Sequence, residues 1–255
     1  MKLAILFISV ALGSGVIGAQ AAAQATSATT DQPGSAQVDP KAVDALAKMS
    51  AYLRSIPSFQ ISLQTQRDDV DMYGQLITLS GEGTYKVRRP DAFSIDLALP
   101  SLTQRYVYDG KTFIAYDPNV GSYGKVQAPS TIRATLELAE QKYGAIVPLD
   151  DLFTWSEGDD RAKALTSAHF IGKDKVAGQS ANHYAFRQQG IDWQIWIADG
   201  DKPVPLRVKI VGSEDPDRPQ FQADLAWDTA PQFTSDAFVF TPPPNARSTD
   251  IQPVN

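Results

Sequence analysis

The stretch over residues 83–118 constrains the fold more than any other part of the chain. Tyr85 alternates with Val87, and Phe93, Ile95, Leu97 and Leu99 follow every second position. That is the period of strands with one buried face. A break at Pro100 leads to two aromatic runs, Tyr106, Val107, Tyr108 and then Phe113, Ile114, Ala115, Tyr116, separated by Asp109 and Gly110. An Asp-Gly pair between such runs predicts a tight hairpin with positive φ at both central residues. A sheet of this kind needs cover on its apolar face, so the rest of the chain must extend it or cover it.

Cover is expected first from a helix beginning at Asp39 and Pro40, an N-cap followed by proline at the first helical position. Val43, Leu46, Met49 or Ser50, and Leu53 give it one apolar stripe, and Ser55, Ile56 and Pro57 stop it. Ser130 is expected to cap a second helix carrying Ile132, Leu136, Ala139 and Tyr143, with Gly144 as its stop. A short apolar helix or turn is expected at 149–155. Further strands are expected at 59–63, 76–87, 169–172, 179–187, 192–198, 206–211, 221–227 and 237–240, with turn residues between them. The acidic run Asp68, Asp69 and Asp71 is placed in a solvated turn; it lacks the spacing and terminal glutamate of a calcium loop. Trp193, Ile195 and Ile197 point to one side of their strand and Trp196 to the other. The expected fold is mainly β with helices (α+β). A strongly curved antiparallel sheet forms an open half-barrel, and the helices cover its cavity.

The first 23 residues carry Lys2, an apolar run over 3–17 and small-x-small cleavage sites, with Ala21, Ala23 and Ala25 as candidate cut points. The run falls short of the ~20 apolar residues a membrane span needs, so a cleaved signal peptide and a periplasmic destination are expected. Residues 24–38 read as a disordered leader, 39–247 as one domain and 248–255 as a loose tail. The chain has no cysteine, so the core must hold the exported protein without disulfides and no lipidated cysteine tethers it. A net charge of −6 without any basic patch argues against nucleic acid as a partner.

Signs of catalysis are few. His169 and His183 sit in strand runs beside Phe170 and Tyr184, and two histidines without cysteine make a poor zinc site. No nucleophile elbow, metalloprotease helix, phosphate loop or dinucleotide fingerprint is present. The expectation is a protein that is not an enzyme and uses no cofactor or metal. What the chain has in quantity is aromatic surface: nine Tyr, eleven Phe and four Trp. A lidded sheet lined this way binds acyl chains through the hydrophobic effect, at about 0.8 kcal/mol per buried CH₂.

Gly83, the pair Arg89 and Pro90, Phe93, the run Asp109, Gly110, Lys111, Thr112 and the run Tyr116, Asp117, Pro118 resemble the periplasmic lipoprotein carriers LolA and LolB. The approach through Pro57, Ser58, Phe59, Leu63, Thr65 and Gln66 does so too, and the resemblance spans about residues 39–127. From His169 onward the chain is similar to an uncharacterised family of predicted periplasmic proteins. The residues that carry this are His183, Tyr184, Ala185, Phe186, then 192–197, and the close at Phe240, Thr241 and three prolines. The resemblance implies a half-barrel with helices closing a hydrophobic cavity. It implies Arg89 as the latch that holds the lid helices, and Phe93 as a residue near the cavity mouth. Tyr85, Phe93, Ile95, Leu97, Tyr106 and Phe113 would line the site. The expected function is a soluble, monomeric periplasmic carrier of a lipid, an acyl chain or a lipidated protein. The alternative is an envelope stress sensor or adaptor that binds an inner- or outer-membrane protein through the same fold.

Overall fold

The computed structural model describes residues 37–100, 102–145, 147–150 and 161–253. Helix α1 (Pro40–Ser55) precedes six strands: β1 (Ser58–Val70), β2 (Leu76–Arg88), β3 (Ala92–Leu99), β4 (Leu102–Tyr108), β5 (Thr112–Asp117) and β6 (Ser122–Gln127). Helix α2 (Ile132–Tyr143) and a 3₁₀ turn (Arg161–Ala164) lead to β7 (Ser167–Val176), β8 (Gln179–Gln188), β9 (Ile191–Ala198), β10 (Pro205–Gly212) and β11 (Gln220–Asp228). A two-residue strand, β12 (Arg247–Ser248), closes the order. All twelve belong to one open sheet, ordered β12-β6-β5-β4-β3-β2-β1-β11-β10-β9-β8-β7. Each adjacent pair is antiparallel except β12 with β6. The expected signal peptide and most of the expected leader lie outside the described residues, as do positions 151–155.

Local chemistry explains most element boundaries. The Asp39 carboxylate accepts the Lys41 N–H at 2.9 Å, and proline at the first helical position starts α1 where a free N–H would go unused. Its buried stripe is Ala42, Leu46, Met49 and Leu53, with Val43 only half-buried. In β1, Phe59, Ile61, Leu63 and Thr65 are buried in strict alternation. Thr131, not Ser130, caps α2; it directly precedes the first helical residue, and its hydroxyl accepts the Ala134 N–H at 3.3 Å. Gly144 ends the helix in the left-handed region at φ 65°, where only glycine is unstrained.

Two turns, one expected strand and the tail depart from expectation. Asp68 and Asp69 are the end of β1 rather than a turn; the reversal is 71–75, held by Asp71, whose carboxylate accepts the N–H groups of Tyr73 and Gln75. In the β4–β5 hairpin only Gly110 has positive φ. The Asp109 carboxylate accepts the Lys111 and Thr112 N–H groups at 2.9 and 2.8 Å, and this side-chain turn replaces a second left-handed residue. Residues 237–240 form no strand. They belong to a return segment that crosses the polar side of the sheet, with Phe238 buried under Arg88 and Phe240 set between Tyr116 and Tyr123. The tail at 247–251 is held, not loose: Arg247 and Ser248 pair with Ser122 and Tyr123, and Ile251 packs where a side chain on Gly124 would lie.

The core lies on one face. Buried residues of α1, α2 and ten strands form a single hydrophobic cluster. The opposite face is polar and ion-paired, with Arg207 held by Asp224 and Arg187 by Asp192. Trp196 does point to that face. It is only 7% exposed, because His183 stacks on it at 3.9 Å, Arg207 lies over it at 5.6 Å, and its indole N–H donates to Asp174 at 2.8 Å. Polar neighbours cover it, not a second layer.

Candidate functional site

Strand register gathers the candidate residues. Directly paired residues share a face, so the pairs Phe59–Val87, Val87–Phe93, Phe93–Tyr108 and Tyr108–Phe113 make one apolar line across five strands. The next line runs Trp227, Ile61, Tyr85, Ile95, Tyr106, and the next Leu225, Leu63, Gly83, Leu97. Six of the seven predicted residues thus lie on three neighbouring lines of one face. Tyr85, Phe93, Ile95, Leu97, Tyr106 and Phe113 are all buried, none more than 4% exposed. Phe93 is fully buried. Ring contacts tie them together: Tyr106 stacks on Phe113 at 5.7 Å, and Phe93 meets Tyr108 at 5.4 Å and Phe113 at 6.3 Å. A Cβ on Gly83 would come within 3.2 Å of both Leu97 and Leu63, so a larger residue there would crowd the face.

The polar tips on this face bind the cover. The Tyr85 hydroxyl donates to Pro148 O at 2.7 Å, fixing residues 147–150 over the sheet. The Tyr108 hydroxyl donates to Pro129 O at 2.5 Å, just before α2, and Thr135 donates to the same carbonyl at 3.2 Å. Burial is the leading cause that raises all three phenols: Tyr85 well above its ordinary 10, Tyr106 to about 12, and Tyr108 less. Each stays a neutral donor at any physiological pH. Tyr108 and Phe59 belong to the site as firmly as the predicted residues. Their alternation with Tyr106 and Ile61 was the available signal.

Arg89 stands apart, one residue past β2. Its backbone N–H donates to Pro57 O at 2.8 Å, its guanidinium lies 5.5 Å over the Phe59 ring, and its Nε and Nη2 are buried. The peptide bond to Pro90 is cis, and Pro90 O accepts the N–H of Ile132, the first residue of α2. The Arg89 and Pro90 corner therefore joins the α1–β1 turn, the edge of the apolar face and the start of α2.

The histidines are elsewhere. His169 is exposed on β7. His183 lies on the polar face, its Nε2 2.9 Å from Gln194 Oε1, and burial lowers its pKa. Among the described residues no three His, Asp or Glu side chains are placed to hold a metal ion, and no helix is long and apolar enough to cross a membrane.

Several solved structures align with much of this chain at low identity. An uncharacterised conserved protein from Thermus thermophilus aligns over 82% of this chain and 99% of its own at 12% identity, TM-score 0.47. Lipoprotein LppX from Mycobacterium tuberculosis aligns over 76% and 98%, also at 12% identity, TM-score 0.49. A LolA superfamily protein from Nitrosomonas europaea aligns over 78% and 97% at 8% identity, TM-score 0.35. No curated protein matches the sequence. One family model, described as predicted periplasmic protein (DUF2092), matches residues 42–252 and so runs through both halves of the sheet. The chain belongs to this periplasmic family.

Proposed function

We propose that this protein is a carrier or binding protein that holds a lipid or acyl chain against the apolar face of its sheet, beneath α1, α2 and residues 147–150. The observation that carries this reading is the continuous apolar face built by Phe59, Tyr85, Phe93, Ile95, Tyr106 and Phe113. The part of the cover made by α2 and residues 147–150 is joined by hydrogen bonds from Tyr85 and Tyr108 rather than by sheet pairing. Such a cover can lift without breaking a strand ladder and admit the ligand to a half-barrel beneath it. Each CH₂ that takes its place contributes about 0.8 kcal/mol. Arg89 acts as the latch, because its corner touches both the apolar face and the start of α2. Lipidated proteins belong to the same ligand class through their acyl chains. Binding, not catalysis, is the reading that the placement of the histidines supports.

Native mass spectrometry of the purified protein tests it. Co-purified lipid is expected, together with saturable uptake of a fluorescent fatty acid that is faster in Arg89→Leu. A clean apo spectrum with no uptake by a protein that melts cooperatively would end the carrier reading. If alanine at His169 and His183 abolished a hydrolysis seen with the wild type, the non-enzymatic reading would end too.

A further inference from the structure

The long hairpin of β1 and β2 outruns the sheet. Pairing of β1 with β11 stops at Arg67, and pairing of β2 with β3 begins at Glu82. Residues 68–78 therefore stand out as a ribbon whose two strands pair only with each other. The tip is apolar and exposed: Val70 49%, Met72 88%, Tyr73 80%, Leu76 55% and Ile77 36%. Scattered exposed apolar residues need no explanation, but five within eight positions on one projection mark an interaction site.

The ribbon is also pre-built. Asp71 accepts the N–H groups of Tyr73 and Gln75, its own N–H donates to Gln75 O, and Gly74 N–H donates to Asp71 O. Thr78 donates to Asp68 at 2.9 Å and Arg67 pairs with Asp69 at 2.9 Å. Cross-strand pairing sets Val70 opposite Leu76. A tip fixed in this way spends little entropy on binding.

Charge selects the partner. Residues 68–79 hold three aspartates and neither lysine nor arginine. An anionic bilayer surface repels such a tip, since each like charge near it is unfavourable. A protein groove with an apolar floor and a basic rim complements it. We infer that the β1–β2 ribbon is a docking element for a partner protein with an apolar groove rimmed by lysine or arginine. It is separate from the apolar face beneath the helices and does not depend on what that face binds.

The test places the photoreactive phenylalanine analogue p-benzoylphenylalanine at Tyr73 of the full chain, irradiated in intact cells. One discrete adduct with a different protein is expected, its cross-linked peptide combining apolar and basic residues. Its yield should fall about tenfold in Leu76→Ser and in Asp68→Lys, each checked for an unchanged melting temperature. Adducts with lipid, or sedimentation with phosphatidylethanolamine–phosphatidylglycerol vesicles that requires Met72 and Tyr73, would replace the proposal with a membrane role. A homodimer adduct, no adduct, or one indifferent to both substitutions would overturn it.

Discussion

Tyr85 shows how one residue serves two ends. Its ring belongs to the apolar face, while its hydroxyl holds the cover through Pro148 O. Tyr85→Phe keeps the ring and loses the bond, so about 1 kcal/mol of stability should go. Amide exchange at residues 147–150 should quicken while β3 and β4 stay protected. Uniform acceleration across the sheet would mean the bond does not pin the cover. Tyr106 gives a pH test. Its folded pKa, about 12, is above the ordinary 10, so folding favours the protonated phenol. Its contribution is complete below pH 10 and is lost as pH rises from 10 toward 12. Tyr106→Phe should show a shallower alkaline fall in denaturant stability. His183 works at the other end of the scale, its pKa lowered from 6.5 mainly by burial against Trp196, with Gln194 and Asp174 opposing. Its contribution is present above pH 6.5 and lost as pH falls through the lowered value. His183→Gln should therefore lose less stability than the wild type between pH 7 and 5. An equal acid slope would show that burial of this ring is not felt.

Elements were legible where the sequence carries a period and a cap. Helix α1 begins and ends where Pro40 and Ser55 predict, and β1, β2 and β3 follow their alternating residues. Strand β6 was not legible, because Gly124 interrupts the alternation between Tyr123 and Val126. The structure supplies the missing side chain from elsewhere, as Ile251 fills the space over Gly124. No local pattern encodes that contact across more than a hundred residues. The two-residue β12 and the segment 237–240 depart from their sequence patterns for the same reason: tertiary contacts with β6 and Arg88, not propensity, place them. A substitution at Gly124 tests this dependence. Gly124→Ala should push Ile251 off the edge, costing about 1–3 kcal/mol by overpacking. Because only two residues pair β12 to β6, the tail should detach rather than the strand shift. Limited proteolysis would then cut near Arg247 in the variant and not in the wild type; equal resistance would show that the tail tolerates the extra carbon.

At the scale of the molecule, β1 is the seam. Sequence resemblance divides the chain into a carrier-like first part and a second part of another character, yet β1 pairs with β2 on one side and with β11 on the other. That second pairing joins Gln60 to Asp228, a separation no periodicity could reveal. The candidate face was legible only on the first side; strands β7–β11 are also neighbours in sequence, but the pairing of β11 with β1 that joins them to the face is not. Its continuation through Leu225, Val208 and Ile195 needed the register. A shared core implies one cooperative unit instead of two. Leu225, 4% exposed and paired with Leu63, sits at the seam. Truncating it to alanine removes buried carbons on both sides at once and should cost about 2–5 kcal/mol. The outcome expected of Leu225→Ala is a single denaturant transition moved to a lower midpoint, with hydrogen exchange quickening together in β3–β5 and in β8–β10. Two resolved transitions, with one half left as protected as before, would mean that the halves fold separately and that the ladder between β1 and β11 is a contact between domains.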